Sequence, residues 1–274
     1  MITLIREMFS YPFMVRAMIV GTLVSVCASL LGVSLVLKRY SMIGDGLSHV
    51  GFGALALAVA LNMAPLKVAI PVVIVAAFIL LRVTENSKIQ GDAAIALIST
   101  GALAVGVMLV SLTTGMNMDV YNYMFGSILA MSREDVVLSI MVSIIVLILY
   151  VIFYEKIFAV TFDETFAKAT GINTNLYHML LSILTALIIV LGMRMMGALL
   201  ISSLIVFPAV TAMRICHTFK SVTITAVLVS IVSFIVGITT SYLYATPTGA
   251  SIVIVDIILF ILFQLYGLII KKNV

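Results

Sequence analysis

The chain has 274 residues, of which 64% are hydrophobic and only 9% charged, with a formal net charge of +4 and a mean hydropathy of +1.31. A soluble domain carries about 25% charged residues, so a water-soluble globular fold is excluded. The excess of positive charge sits in loops, and no Lys/Arg run exceeds two residues, which argues against a nucleic-acid surface.

Residues 1–13 open the chain with Ile2, Ile5 and Phe9 on one side of a short interfacial helix that ends at Pro12. The apolar run after Arg16 is too long for a cleavable signal peptide. Nine apolar segments then follow, approximately 14–37, 43–63, 65–81, 92–114, 136–154, 176–192, 195–213, 221–245 and 250–270. Each approaches the roughly 20 residues that cross a hydrocarbon core about 30 Å thick. Lipid offers no water to free backbone groups, so such segments are helices or strands of a closed barrel. The ~10-residue alternation of a barrel is absent from the sequence. The expectation is an all-α, polytopic transmembrane helical bundle of 8–9 spans, forming one domain over 1–274. Eight spans fit if one segment of the 176–213 or 43–81 pairs is re-entrant. Frequent span glycines, such as Gly21, Gly32, Gly53 and Gly106, point to close helix packing.

Orientation follows from loop charge. Lys38, Arg39, Arg82, Lys88, Lys156, Lys168, Arg214, Lys220, Lys271 and Lys272 fall on one side, and Arg6, Arg16, Lys67, Arg133 and Arg194 on the other. The positive-inside bias places the first set, and the C-terminus, in the cytoplasm.

Polar groups inside the spans are few. Asp45 and His49 stand four residues apart in "SMIGDGLSHVGFGALALAVAL", a spacing that stacks both side chains on one helix face. A carboxylate and an imidazole are suitable ligands for a borderline divalent cation such as zinc; the alternative is a structural polar pair. Ser48 beside His49 is no hydrolase pair, because neighbours on a helix point about 100° apart. Asp256, in "SIVIVDIILF", either faces the same cavity, pairs with Arg194 or serves as structural glue. His178 and His217 sit at expected helix ends, where a solvated histidine is ordinary. Cys27 and Cys216 are too few and too far apart for a disulfide framework. The seventeen methionines lack ligand spacing and suit core filling.

The segment 155–178, "EKIFAVTFDETFAKATGINTNLYH", carries a helix of about nine residues. "TFDE" reads as a capping box between Thr161 and Glu164, Asp163 and Glu164 suit the positive helix start, and Gly171 supplies the left-handed stop. Phe162 and Phe166 fall on one face at i, i+4. That face is covered either by the protein's own helix ends or by a groove on a partner. No G-x-x-x-x-G-K-[ST] phosphate loop occurs, so ATP-driven work would need a separate motor subunit.

In order and spacing, "LGVSLVLKRYSMIGDGLSHVGFGALAL", "YMFGSILAMSREDV", "FDETFAKATGI", "GALLISSLIVFPAVTA" and "TPTG" together resemble the membrane permease subunits of bacterial ABC-type metal-ion importers, which serve zinc, manganese and iron uptake. The resemblance covers nearly the whole chain. It implies a non-catalytic, multi-pass protein of the bacterial cytoplasmic membrane, working by alternating access as a permease homodimer or pair. It also implies a cytoplasmic ATPase subunit below and an extracytoplasmic metal-binding protein above. On the matching positions, Asp45 and His49 become the metal path, and Phe162, Asp163, Glu164, Phe166 and Gly171 the ATPase-docking coupling helix of about 162–171. No permanently bound cofactor is implied; the divalent metal is cargo. "MRMMGALLISSLIVFPAVTAMRI" looks most like the zinc-uptake members, which puts zinc ahead of manganese. The chain departs from many relatives at Ala245, where they carry an acidic residue, and at Ser127, where they carry aspartate, which weakens any transfer of an outer-mouth ligand.

Overall fold

The structure, a computed structural model, describes residues 8–86, 91–113, 126 and 132–272. The described residues form eleven helices and no strand. We number them α1 (Pro12–Leu37), α2 (Ser41–Ala60), α3 (Pro65–Asn86), α4 (Gly91–Thr113), α5 (Arg133–Ile152), α6 (Tyr154–Phe162), α7 (Glu164–Ala169), α8 (Thr174–Met196), α9 (Ala198–Ala212), α10 (Phe219–Tyr244) and α11 (Thr248–Lys272). The all-helical expectation holds, and each of the nine expected apolar segments coincides with one of α1–α5 or α8–α11. Most of the expected interfacial helix lies outside the described residues, and Pro12 starts α1, where its fixed φ and missing N–H cost nothing.

Seven helices, α1, α2, α4, α5, α8, α10 and α11, are long and apolar enough to cross a membrane. The apolar parts of the other two, Pro65–Leu80 in α3 and Leu200–Ala212 in α9, are shorter. The break between α8 and α9 falls at Gly197 (φ 89°), three residues beyond the expected position. Met193, Met195 and Met196 are unbranched and continue the helix in the core.

Two helix groups, α2–α3–α4 and α9–α10–α11, flank a centre made by α1 and α8. α1 packs on α8, α9 and α10, α8 packs on α3, and α2 meets α9 where the two groups join. The apolar windows of α1, α2 and α8 are 67% buried and that of α11 only 11%, so the first three form the core while α11 presents apolar side chains outward, as lipid requires. Small residues set the approach. A Cβ on Gly53 would lie 2.7 Å from the Ala102 carbonyl oxygen on α4, and one on Gly32 would collide with the Ile205 backbone on α9. Because lipid tails are as apolar as the helices, such backbone proximity is what holds membrane helices together.

Candidate functional site

α2 begins abruptly. α1 ends with Arg39 in the left-handed region (φ 61°), while the amides of Arg39 and Tyr40 donate to Val36 and Leu35 at 3.0 and 2.8 Å. This is the double bond of a Schellman stop, built on a residue other than glycine. α2 starts two residues later, at Ser41, so its first turns carry Asp45.

Within α2 the i, i+4 spacing does what periodicity requires: His49 Nε2 lies 3.5 Å from Asp45 Oδ2. The Asp45 side chain is 43% exposed and that of His49 20%. Ser48 is buried and turns its hydroxyl back to the Asp45 carbonyl at 2.7 Å. α9 contributes Ser202, whose Oγ is 3.5 Å from Asp45 Oδ1 and 3.5 Å from Ser48 Oγ. Nothing in the sequence placed Ser202 there, because the register between α2 and α9 is a tertiary fact. Among the described residues no group of three or more His, Cys, Asp or Glu side chains converges. The site is therefore an open carboxylate–imidazole pair with hydroxyls beside it, chemistry suited to holding a divalent cation loosely.

Asp256 is fully buried on α11 and accepts a hydrogen bond from Ser203 Oγ at 3.3 Å. It does not pair with Arg194, which donates to Asp135 Oδ1 at 3.0 Å. Asp135 is also the third residue of a capping box on α5, in which its amide and carboxylate exchange bonds with Ser132 at 3.1 Å each. Arg194 thus finds its charge partner on a helix start. Adjacent serines on α9 consequently face two different carboxylates, Ser202 the half-exposed one and Ser203 the buried one.

At the 155–178 segment the sequence reading needs correction. Thr161 is no cap; it lies inside α6 and is buried. The cap is Asp163, extended at φ −144°, whose Oδ1 accepts from the Phe166 amide at 2.9 Å. The helix expected over about 162–171 is therefore the shorter, six-residue α7, because Asp163, two residues beyond Thr161, supplies the cap while Thr161 stays in α6. Gly171 does adopt the left-handed conformation (φ 82°), with the Gly171 and Ile172 amides donating to Lys168 and Ala167 at 3.0 Å. Phe162 and Phe166 are 74% and 62% exposed, although Phe162 touches the Phe158 ring at 5.7 Å between centroids.

His178 is likewise buried rather than solvated. Lys38 Nζ lies 2.9 Å from its Nδ1, and its Nε2 lies 3.1 Å from Glu164 Oε2. Lysine can only donate and a carboxylate can only accept, so a neutral ring with its proton on Nε2 satisfies both partners. Lys168 bonds the other Glu164 oxygen at 2.8 Å. That bond, with the Lys38 charge and the hydrogen bond from His178 behind it, pulls the Glu164 carboxyl down to about 2 against its partial burial. One carboxylate of α7 is thereby tied to the last turn of α1 and the first turns of α8. His217 is exposed, as expected. Cys27 and Cys216 are free. Ser127 lies outside the described residues, and Ala245 is a left-handed cap of α10.

Comparison with known proteins accords with this architecture. The model of the ABC 3 transport family matches residues 10–267. The high-affinity zinc uptake system membrane protein ZnuB of Haemophilus influenzae is 32% identical over 252 residues, covering 92% of this chain and 97% of its own. The manganese transport system membrane protein MntC of Halalkalibacterium halodurans is 28% identical, covering 93% and 88%. A Haemophilus influenzae protein named "Probable iron transport system membrane protein" is 33% identical, covering 97% and 94%. Among solved structures, PsaBC from Streptococcus pneumoniae in complex with Fab superposes with a TM-score of 0.86 at 30% identity, covering 96% of this chain and 95% of that one. With its helices and these matches in agreement over nearly its full length, the chain belongs to the ABC 3 transport family as a membrane permease.

Proposed function

We propose that this chain is the permease subunit of an ATP-driven importer that brings zinc into a bacterial cell by alternating access, with Asp45 and His49 meeting the ion on its way. The observation that carries this reading is the Asp45–His49 pair: two ligand groups 3.5 Å apart on an apolar helix, at the junction of two helix groups and partly open. Ionisable groups cost several kcal/mol in such surroundings and mark ion pathways as a rule. A site of two charged or imidazole ligands binds weakly enough to release its cargo. The chain itself carries out no chemistry on the ion.

Segment 162–171 docks a cytoplasmic ATPase subunit through Phe162 and Phe166, with Asp163 capping α7, Glu164 anchoring it and Gly171 ending it. Support comes from two exposed aromatics on a short, internally anchored element. The C-terminus is cytoplasmic, a second copy of the permease completes the ion path, and an extracytoplasmic metal-binding protein delivers the ion. The likeness of 193–215 to zinc-uptake members puts zinc first. Manganese or iron is the second reading, favoured by the similar identities of relatives named for those metals.

The test is metal-limited growth and uptake of radioactive zinc and manganese in a strain lacking the gene. Asp45→Ala and His49→Ala should each abolish uptake while the protein stays at normal abundance in the membrane. Normal uptake by both variants would sink the site assignment. Rescue by manganese but not zinc would overturn the metal, and transport by the purified chain on a proton gradient without any ATPase would overturn the motor.

A further inference from the structure

Three oxygen atoms meet where α2 and α9 touch: Asp45 Oδ1, Ser48 Oγ and Ser202 Oγ. Ser202 Oγ is 3.5 Å from each of the other two. That separation is long for an O–H···O bond, which centres near 2.7–2.8 Å. Each serine hydroxyl owns a single hydrogen, and both have a better acceptor on their own helix. Ser48 Oγ donates to the Asp45 carbonyl at 2.7 Å, and Ser202 Oγ donates to the Ala198 carbonyl at 3.1 Å. With the Ser48 hydrogen spent backwards along its helix and the single Ser202 hydrogen set among three acceptors, hydroxyl lone pairs are left over beside the carboxylate. Oxygens gathered in this way, one of them a carboxylate's, are suited to take a cation among them.

The spacing has a natural interpretation. Small divalent cations such as zinc and magnesium hold oxygen at about 2.0–2.2 Å. Two oxygens on a tetrahedral or octahedral shell of that radius are then about 2.8–3.6 Å apart. The Ser202–Asp45 distance lies in that range, as does the 3.5 Å between Asp45 Oδ2 and His49 Nε2. Ser48 is buried, whereas Ser202 is partly exposed, as Asp45 and His49 are. We propose that Ser202 Oγ is a third ligand for the travelling divalent cation, beside Asp45 and His49, and that its hard neutral oxygen tunes the choice between zinc and manganese. Carboxylate and hydroxyl oxygens accommodate manganese, while imidazole and thiolate draw the balance toward zinc. This inference rests on the reading of Asp45 and His49 as the ion path.

The experiment compares Ser202→Ala, Ser202→Cys and Ser202→Thr in the whole transporter, scored by initial uptake of zinc and of manganese at several concentrations and by membrane abundance. Ser202→Ala should raise the half-saturating metal concentration by about tenfold, the low end of the effect of losing a metal-site partner. Ser202→Thr, which keeps the hydroxyl, should stay near wild type. Ser202→Cys should recover zinc uptake but not manganese, raising the zinc-to-manganese ratio several-fold. A residue that merely back-bonds its helix would leave that ratio unmoved, so an unchanged ratio in both Ser202→Ala and Ser202→Cys overturns the proposal. Asp45→Ala and His49→Ala separate the two levels: if they are inactive while the Ser202 variants keep the wild-type ratio, only Ser202 is misassigned, and if they transport normally the path itself is.

Discussion

Glu164 Oε2 and His178 Nε2 lie 3.1 Å apart, and this contact joins a six-residue surface helix to the start of a buried one. Its strength depends on pH through Glu164, whose carboxyl is held at about 2 by Lys168, His178 and Lys38. A carboxylate with a depressed value stabilises the fold above its ordinary value of 4.5 and loses that contribution as pH falls through about 2. We expect the amide protection of 164–172 in hydrogen exchange, corrected for intrinsic rates, to decline from pH 5 toward pH 2. In Glu164→Gln the protection should already be lower than in the parent at pH 5. Equal protection in the variant and the parent at pH 5 would show that the contact holds nothing.

Asp163 is the whole N-terminal cap of α7. Replacing an aspartate cap by alanine costs about 1 kcal/mol, a large share for a helix too short to stand alone. Asp163→Ala should therefore fray 164–169 without disturbing α8, whereas Thr161→Ala, on the residue that proves not to be the cap, should leave α7 intact. Hydrogen exchange over the two segments distinguishes them.

Two glycines in the α2–α4 pairing, Gly53 and the Gly101 that precedes its neighbour Ala102, should respond in opposite ways. Gly53 lies against the Ala102 carbonyl, and a Cβ there would force α2 and α4 apart, whereas a Cβ on Gly101 would meet nothing within 4 Å. Gly53→Ala should destabilise by about 1–3 kcal/mol, the usual penalty of overpacking. Gly101→Ala should be neutral or stabilise by up to about 1 kcal/mol, because alanine is the better helix former. Thermal unfolding in detergent measures both.

Asp135 serves both as a helix cap and as the partner of Arg194. The pair is largely buried, so removing one charge leaves the other stranded, which costs about 3–5 kcal/mol in a protein interior. Asp135→Ala should lower the thermal midpoint well beyond Ser132→Ala, which loses only the cap at about 1 kcal/mol. Equal shifts would mean that the ion pair contributes nothing.

Much of the architecture is written in hydropathy: nine apolar runs give nine helices because lipid leaves the backbone no other open option. The Asp45–His49 contact was equally legible, since four-residue spacing is intrinsic to one helix. Contacts between helices were not. Ser202 reaches Asp45, and His178 meets both Lys38 and Glu164, only through the register of separate elements far apart in the chain. His178 looked solvated because it follows a polar loop, yet that loop folds back and buries it. The misplaced cap has a different cause. Thr161 and Asp163 are both competent caps within three residues, and the choice fell to Asp163 because Thr161 is needed as part of α6, whose Ile157 and Val160 are buried.

The brevity of α9 has an electrical consequence. Its fifteen residues rise about 22 Å, whereas the hydrocarbon layer is about 30 Å thick, so no tilt lets this helix alone bridge the layer. At least one end of α9 then lies below the level of the lipid headgroups or beneath a locally thinned bilayer. Membrane voltage falls mainly across the dry part of a barrier, so where α9 falls short and water enters, the potential drop is compressed into the thinner layer that remains.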